Sequence, residues 1–317
     1  MLAPVTEVHY GEEELLRLNI ASSELYPSFV DELEGATGLS CGYEPSGTLI
    51  VARDADDDRE LDDIFEFQRS LGLKVERLRG DACRELEPGL TSRARGGILA
   101  PDDHRIDPAA LVRALHKACA AAGVEFVPER VQRVERGRVV TENGRHDADA
   151  IVVAAGAHSS RIEIPKEVTI PIRPVKGQLV MLRGAAPATR HNIRGLDAYL
   201  VSRSDGRVVL GATMEERGFE TTVTGEGVFE LLRAAYEFVP GILELEFEGA
   251  VSGLRPASPD NAPLIGRSEI DGIFLATGHF RNGVLLAPVT GEALAKLVTG
   301  GSDERVAPFS PQRFAAR

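Results

Sequence analysis

Cysteine is scarce in this sequence of 317 residues, and the three cysteines are not spaced for metal binding. Cys41, Cys83 and Cys119 lie far apart, show no Cys-x-x-Cys pattern and leave an odd residue unpaired. The spacing implies neither a zinc site nor a disulfide framework and indicates reduced, mostly buried thiols. Long apolar runs are lacking too, since none approaches the ~20 residues that cross a bilayer. No basic segment followed by an apolar core opens the chain, so we expect a cytoplasmic protein without a membrane span.

Positive charge is also in short supply. The chain carries 36 lysines and arginines against 49 aspartates and glutamates, a formal net charge of -13. Binding along a nucleic-acid backbone needs a clustered positive field, so nucleic acid is not an expected partner. Hydrophobic residues make up 43% and charged residues 27%, which is the balance of a folded globular enzyme. The length favours two domains, with one large α/β unit as the alternative, and homo-oligomer formation is compatible with this composition.

Two ligand-binding motifs are incomplete in the sequence. The acidic run Asp54, Asp56, Asp57 and Asp58 lacks the central glycine and terminal glutamate of a calcium loop. We interpret it as the solvated start of a helix and expect no metal site. No complete Gly-x-Gly-x-x-Gly turn is found either, because Gly225-Glu226-Gly227 has no third glycine and follows no buried strand. A nicotinamide-dependent dehydrogenase therefore lacks support.

Four helices are predicted from periodicity and end signals ahead of the late segments described below. The first should stop at Gly35 and Gly38. The second is acidic and follows a strand at residues 48–52. The third begins at Asp107-Pro108, because the aspartate side chain can cap the free amides of the first turn and the proline has no amide hydrogen to leave unsatisfied. The fourth spans 227–239. The inward positions are Leu15, Leu18, Leu25, Phe29 and Leu33 in the first helix, Leu61, Ile64, Phe65 and Leu71 in the second, and Leu111, Leu115 and Cys119 in the third.

One predicted strand ends in a sequence that suits ligand binding. Residues 150–155 form an unbroken apolar run, as in strands buried on both faces. Its end, Ala154-Ala155-Gly156, lets a ligand approach the backbone at the carboxyl edge of a sheet, and an ordinary core strand with a glycine turn is the equal alternative. Later strands follow in quick succession and predict an antiparallel sheet. The other predicted strands are 125–127, 131–136, 138–141, 177–182, 199–201, 208–211 and 245–251.

Three late segments share a family pattern. The first is Gly253-Leu254-Arg255-Pro256 with the Ser-Pro-Asp-Asn-Ala-Pro-Leu-Ile-Gly run of 258–266, and the second is the strand, glycine turn and helix of 272–291. The third pairs Pro174-Val175-Lys176-Gly177-Gln178 with Gly211-Ala212-Thr213-Met214. In this order and spacing they resemble the glycine-oxidase branch of the D-amino-acid-oxidase family, whose members are FAD-dependent oxidoreductases. The resemblance extends over nearly the whole chain.

The resemblance implies an α/β fold of two domains, an FAD-binding Rossmann-like domain and an antiparallel-sheet substrate-binding domain. The first βαβ unit of the FAD-binding domain is expected to lie outside this sequence, because Met1-Leu2-Ala3-Pro4 resembles the segment just after that unit. A start codon placed too late is the preferred interpretation, and a real remnant is the alternative. The implied limits are 1–40, 93–165 and 253–317 for the FAD-binding domain, and 41–92 and 166–252 for the substrate-binding domain.

The same resemblance implies site residues. It implies no acid–base catalyst, because a neutral amine that delivers its α-hydrogen as hydride needs none. The implied substrate-binding residues are Tyr199, Met214, Arg255 and Arg281. The implied FAD-binding residues are Met1, Leu2, Val131, Ala155, Gly156, Gly177, Gly278, His279, Phe280, Arg281, Asn282, Gly283, Val284 and Leu285.

The chemistry of these residues agrees with those roles. The guanidinium of Arg255 matches two carboxylate oxygens and keeps its charge, although a structural ion pair is the alternative. Tyr199 would contact the same carboxylate, although a lone tyrosine on a strand usually belongs to the hydrophobic core. For Met214 the alternative is that the side chain only fills space in the core. The amides near 281–284 suit negative charge on the pyrimidine end of reduced flavin. His279 is interpreted as a flavin-loop residue or as purely structural.

The function implied by the resemblance is oxidation of glycine or another small primary or secondary amino acid. Dioxygen would be reduced to hydrogen peroxide, and the imino acid would give a 2-oxo acid and ammonia or serve thiamine thiazole synthesis. One alternative is a non-catalytic remnant or one subunit of a split flavoprotein, which would purify without flavin colour. The other is a dye-linked dehydrogenase of D-amino acids, sarcosine or proline, which would make almost no peroxide.

Overall fold

The computed structural model of the chain describes residues 1–314. They form a mixed α/β fold, and the predicted fold class is confirmed. The α-helices are α1 (Glu13–Thr37), α2 (Ala55–Ser70), α3 (Gly80–Leu86), α4 (Pro108–Ala121), α5 (Gly225–Phe238) and α6 (Ala287–Val298). The strands are β1 (Thr48–Ala52), β2 (Glu76–Arg79), β3 (Gly96–Ala100), β4 (Val131–Glu135), β5 (Arg138–Thr141), β6 (Arg145–Asp147), β7 (Ile151–Val153), β8 (Arg173–Arg183), β9 (Asn192–Arg194), β10 (Tyr199–Ser202), β11 (Arg207–Gly211), β12 (Glu246–Ala257), β13 (Leu264–Arg267) and β14 (Ile273–Thr277). Short 3-10 helices span Gly156–Arg161, Pro240–Glu244, Glu304–Phe309 and Pro311–Phe314.

Eight strands form one sheet in the order β12-β8-β11-β10-β9-β1-β3-β2. Neighbouring strands are antiparallel except β1 and β9, which run parallel. The predicted antiparallel sheet of the later strands is confirmed. β12 is longer than the expected 245–251, because its pairing with β8 continues as far as Ala257 and Arg173. Arg255 is therefore a strand residue whose backbone is held by a neighbouring strand.

The two faces of the large sheet have different surroundings. On one face Val180, Leu200 and Leu210 pack with Leu231 and Phe238 of α5 in a buried apolar core. Each such side chain contributes roughly 1.5–3 kcal/mol when it leaves water. Because side chains alternate across a strand, the odd-numbered residues of β8, β10 and β11 face the opposite side. That side carries the candidate site.

α2, α4 and α5 begin after residues whose side chains accept hydrogen bonds from free amides of the first turn. Asp54 and Asp107 each accept hydrogen bonds from two amides of the following first turn, and Thr224 accepts one from the first turn of α5. The predicted starts of the second and third helices are thus confirmed. α1 ends at Gly38, which takes a left-handed conformation with φ 68°. The predicted stop at Gly35 is wrong, because Gly35 lies inside α1.

α1 packs between α4 and α6 through its predicted apolar stripe. Leu15 and Leu18 pack with Val289 of α6, and Leu33 packs with Leu111 of α4. This packing brings α1 against the turn that leads into α6. Within residues 1–314, no helix is both long enough and apolar enough to cross a membrane.

A small sheet in the order β13-β14-β7 stands apart from the large one. β7 pairs in parallel with β14 and covers only Ile151–Val153 of the predicted 150–155. The expectation that this strand is buried on both faces is wrong, because Val152 is 40% exposed. Ile151 and Val153 join a core on one face, and alternation turns Val152 to the other.

The predicted strand at 125–127 is also wrong, since these residues are irregular. Phe126 and Val127 are exposed, and Phe126 stacks on His116 with the ring centroids 3.9 Å apart. Apolar residues form a strand only where a second strand supplies backbone partners, and no strand of the neighbouring sheet β4-β5-β6 pairs with residues 125–127. The strands predicted at 131–136 and 138–141 are confirmed as β4 and β5.

The implied domain limits can be compared with the strand pairing. β3 pairs with β1 and β2 in the large sheet, although residues 93–165 were assigned to the cofactor domain. β12 also crosses the implied limit at residue 253 without interruption. The limits remain a prediction from the resemblance.

Asp103 anchors the segment that precedes α1. Its buried carboxylate accepts hydrogen bonds from the amides of Val5 and Thr6, at 2.9 and 3.1 Å, and from the Thr6 hydroxyl at 2.5 Å. Burial raises the pKa of Asp103 to about 6, although these hydrogen bonds oppose the shift. The anchored segment continues directly to Glu7, which lines the candidate site.

Acidification is expected to stabilise the wild-type protein relative to the Asp103→Asn variant. Because the folded-state pKa lies above the ordinary value, the folded protein binds this proton more tightly. The stabilisation is complete below about pH 4 and is lost as the pH rises through about 6. Urea unfolding at pH 4 and pH 7 should change the free-energy difference between the two proteins by about 2–3 kcal/mol. A difference that stays constant with pH would contradict the raised pKa.

Candidate active site

A cleft of about 270 Å³ lies between the free face of the large sheet and the turn that joins β14 to α6. The segment before α1 and the loop between β9 and β10 complete its walls. The cleft brings together residues that are far apart in the sequence. Of the implied site residues, Met1, Tyr199, Met214, Arg255, Arg281, Asn282 and Leu285 line it.

Two glycines form the floor beneath the side chains of Arg255 and Tyr199. β8 and β11 lie between the strands that carry these two residues. A Cβ added at Gly177 would lie 2.5 Å from the guanidinium carbon of Arg255, and one added at Gly211 would overlap the ring of Tyr199. Hydrogen atoms at both positions therefore allow the guanidinium and the phenol to lie over the sheet. Gly177, implied as a cofactor residue, has Arg255 as its neighbour in this structure.

Arg255 has no carboxylate partner among residues 1–314. Its Nη1 donates to the carbonyl oxygens of Thr213, at 3.0 Å, and Lys176, at 3.4 Å. Burial lowers the pKa of Arg255, but a guanidinium stays charged in proteins. A partly buried positive charge without a fixed counter-charge favours an anionic ligand. The alternative of a structural ion pair finds no support in the described residues.

The other arginines of the cleft, Arg194 and Arg281, have carboxylate partners in Glu7 and Glu12. The carboxylate of Glu7 binds Arg194 and lies 3.4 Å from Nε of Arg281. Although burial raises the pKa of Glu7, the two guanidinium groups outweigh it and hold the pKa below its ordinary value. Glu7 is therefore anionic, and Arg281 is an ion-paired wall residue. The sequence pattern did not identify Glu7 or Arg194, because no local motif marks a contact between residues this far apart.

Tyr199 and Met214 complete the side of the cleft next to Arg255. Burial raises the pKa of Tyr199, and Arg255 only partly opposes this shift, so the phenol stays protonated and can donate a hydrogen bond. Met214 is 62% exposed and lies at the edge of the cleft, so it does not fill a core gap. Both side chains are placed to contact a ligand held by Arg255.

The turn between β14 and α6 presents free backbone amides. Gly278 and Phe280 have φ of 78° and 45°, which reverse the chain direction after β14. The amides of residues 283–285 have no acceptor within the described part of the chain, whereas Leu286 donates to the carbonyl of Asn282 at 2.8 Å. These three amides form an open helical start, a site that favours negative charge.

Two side chains of α1 donate hydrogen bonds to the carbonyl groups of this turn. The Tyr26 hydroxyl donates to the carbonyl of Val284, and the Ser22 hydroxyl donates to the carbonyl of Leu285 at 2.6 Å. In a planar trans peptide the N–H of one residue points opposite to the preceding carbonyl. Tyr26 therefore directs the Leu285 amide away from α1. Periodicity marked neither polar residue of α1, since both contacts are tertiary.

His279 lies in the same turn, where its Nε2 is 3.1 Å from the Thr290 hydroxyl. Burial lowers the pKa of His279 to about 4, so the ring is neutral at physiological pH. A base with this pKa is a poor proton acceptor near neutrality. Its implied role as a flavin-loop residue stays a prediction.

A second cavity of about 470 Å³ is lined by Val131 and Ala155, together with Arg130, His158 and Arg161. Gly156 follows with a left-handed φ of 54° at the end of β7. Two of the implied FAD residues thus lie in a cavity other than the cleft. This arrangement suits a long ligand whose two ends bind in different places.

Comparison with known protein families identifies the family of the chain. Residues 2–297 match the family described as FAD dependent oxidoreductase. The chain belongs to this family. Its cofactor is FAD, the group expected from the resemblance, and the predicted family is confirmed.

Two relatives of this FAD dependent oxidoreductase and one crystal structure show how far the similarity extends. Glycine oxidase of Geobacillus kaustophilus is 32% identical over 96% of this chain and 83% of that protein. A crystal structure titled as glycine oxidase from Geobacillus kaustophilus superposes with a TM-score of 0.93 at 30% identity, over 99% of this chain and 87% of that one. The bifunctional protein ThiO/ThiG of Synechocystis sp. is 34% identical over 99% of this chain, which spans only 47% of that relative.

The residues of this FAD dependent oxidoreductase fit the cofactor at two places. The open amides of residues 283–285 suit the electron-rich pyrimidine end of a flavin, and the Leu285 side chain lines the cleft beside them. The cations of the second cavity suit the anionic and nucleotide portions of FAD. Leu2, another implied FAD residue, does not line the cleft; its side chain lies in the core, and its amide and carbonyl pair with His104.

Proposed function

We propose that this protein oxidises glycine, or another small primary or secondary amino acid, to the imino acid. Dioxygen is the electron acceptor and is reduced to hydrogen peroxide, and the imino acid hydrolyses to a 2-oxo acid and ammonia. The observation that carries the proposal is the guanidinium of Arg255, which has no carboxylate partner in residues 1–314 and lies beside the protonated phenol of Tyr199. The similarity to glycine oxidases supports the substrate class.

Binding of the substrate carboxylate is the main task of the side chains. The free edge of Arg255 takes the two carboxylate oxygens, and the Tyr199 hydroxyl donates a further hydrogen bond. These contacts fix the α-carbon on the side of the cleft that faces the turn after β14. Positioning of this kind removes much of the entropic barrier to reaction. Met214 limits the room beside the α-carbon, which favours small amino acids.

FAD, when bound, supplies the redox chemistry by accepting the two electrons of amine oxidation and passing them to dioxygen. The open amides of residues 283–285 would hold the pyrimidine end of the flavin and favour negative charge there. Because burial lowers the pKa of His279 to about 4, this ring is a poor proton acceptor, and the amine loses its proton to solvent before oxidation. We also propose that the imine serves thiazole assembly in thiamine synthesis, which the ThiO/ThiG relative supports.

Glycine-dependent peroxide formation tests the proposal. The purified protein, loaded with FAD, should lose its flavin absorbance when glycine is added without oxygen, and should form one peroxide per glycine in air. Glycolate, which has the carboxylate but no amine, serves as the negative control. If glycine bleaches the flavin without forming peroxide and the electrons pass to a dye, the protein is a dehydrogenase and not an oxidase. A protein that fails to bind FAD would indicate a non-catalytic chain or one subunit of a split flavoprotein.

A further inference from the structure

Behind the glycine floor lies a group of polar side chains that the proposed reaction does not use. Lys176 and Gln178 of β8 are each only 1% exposed, on the face of the strand opposite to Gly177. Both reach Glu215, which follows β11. The Glu215 carboxylate accepts hydrogen bonds from Gln178 at 2.7 Å and from the Thr213 hydroxyl at 2.6 Å, and pairs with Nζ of Lys176 at 3.2 Å.

These contacts join three elements of the fold. The backbones of Lys176 and Glu215 exchange two hydrogen bonds of 2.9 Å each. The amide of Gln178 donates to the Thr213 hydroxyl at 2.9 Å. The Gln178 side chain also bonds Thr224, the residue that caps α5. The loop after β11 is thus tied to β8 and to the start of α5 through one carboxylate.

The same loop holds the guanidinium of the site. Nη1 of Arg255 donates to two carbonyl oxygens, and these belong to Thr213 and Lys176. Both residues are direct partners of the Glu215 carboxylate. A displacement of the Glu215 side chain would therefore move the acceptors that orient Arg255. Met214, at the edge of the cleft, lies between the two loop residues that this network holds.

We propose that Glu215 is a positioning residue for substrate binding, which sets the orientation of Arg255 through the carbonyls of Thr213 and Lys176. The inference rests on the proposed function of Arg255 as the carboxylate-binding group. A buried ion pair adds little net stability compared with apolar side chains of equal size. The ion pair of Lys176 and Glu215 instead fixes the positions of the loop residues around it. Hydrogen bonds from Gln178 and Thr213 and the charge of Lys176 overcome the effect of burial and lower the pKa of Glu215, so the carboxylate stays charged.

The test compares Glu215→Gln with Glu216→Gln in the FAD-loaded protein. Glu216 is the adjacent residue, is exposed and pairs with Arg173 on the surface, so it is a matched control. Steady-state kinetics give KM and kcat for glycine, and titration with acetate, followed by the flavin absorbance spectrum, gives the affinity for a bare carboxylate. Flavin content shows that each variant is loaded equally.

Glu215→Gln should raise KM for glycine and Kd for acetate in parallel, by about 5- to 10-fold, with kcat changed less than twofold. Glu216→Gln should change neither constant. If Glu215→Gln does not fold, the Thr213→Val variant tests the proposal instead, because it removes the hydroxyl that binds Glu215 and keeps the shape of the side chain. Thr213→Val should give the same parallel rise, and Thr213→Ser should restore wild-type values. An unchanged acetate Kd in the variant that folds would overturn the proposal.

The Arg255→Lys variant separates this inference from the function on which it rests. If Arg255→Lys weakens acetate binding and the Glu215 and Thr213 variants do not, only the positioning role fails. If Arg255→Lys leaves acetate binding unchanged, the carboxylate-binding function of Arg255 is wrong and the positioning role is overturned with it.

Discussion

Replacement of Arg255 by methionine is expected to lower kcat/KM for glycine by about 10²- to 10⁴-fold. A guanidinium that binds two carboxylate oxygens makes two charge-assisted hydrogen bonds, each worth roughly 1.5–3 kcal/mol. Loss of about 3–6 kcal/mol corresponds to this range, since each 1.4 kcal/mol is about tenfold. Arg255 has no carboxylate partner within residues 1–314, so its removal leaves no buried acid unpaired. The protein should therefore still fold and bind FAD.

Two further variants show whether the loss reflects carboxylate binding. Arg255→Lys keeps the charge but not the two-pronged geometry, so its kcat/KM should fall between those of wild type and Arg255→Met. Arg79→Met removes an exposed arginine of β2, far along the sheet, and should behave as wild type. Unaltered acetate affinity in Arg255→Met would show that another group binds the carboxylate.

Substitution of Gly177 by alanine is expected to raise KM for glycine on the order of 10²-fold, because a misplacement of about 1 Å has effects of this size. The new methyl group would occupy the space of the Arg255 guanidinium. The guanidinium is the far end of a flexible side chain, so it can move aside while β8 keeps its pairing. The expected result is a stable, FAD-loaded protein with weakened binding of glycine and acetate.

Gly253 supplies the control for this substitution. It lies directly opposite Gly177 in the register of β12 and β8, and a Cβ at Gly253 would meet nothing within 4 Å. Gly253→Ala should therefore keep wild-type kinetics and a similar thermal unfolding temperature. Equal changes in both variants would assign the effect to a general disturbance of the strand pair and not to displacement of Arg255.

Local signals in the sequence were sufficient to predict the positions of most of the helices. Asp107 and Asp54 cap the helices that they were expected to cap, and the stripe of α1 faces α4 and α6. Capping and period act within a few residues, so the sequence alone can report them. The failures at 125–127 and at Val152 concern strands, whose burial and pairing depend on residues distant in the chain.

The candidate site divides in the same way. Glycine-rich segments and a resemblance pointed to Arg255, Tyr199 and the turn after β14, and these do lie around one cleft. Glu7, which compensates Arg194 and Arg281, was not found from the sequence. Its position follows from the anchoring of the first residues by Asp103, about one hundred residues later.

The sequence by itself determined the α/β class, the helix starts set by capping residues and the family, because each depends on local composition or on an ordered set of motifs. The tertiary structure decided which arginine is free to bind a ligand. Arg194, Arg255 and Arg281 are chemically alike in the sequence, and only the folded chain places Glu7 beside two of them and leaves the third without a carboxylate in residues 1–314. Charge compensation is a property of distances in space, which a linear pattern does not contain.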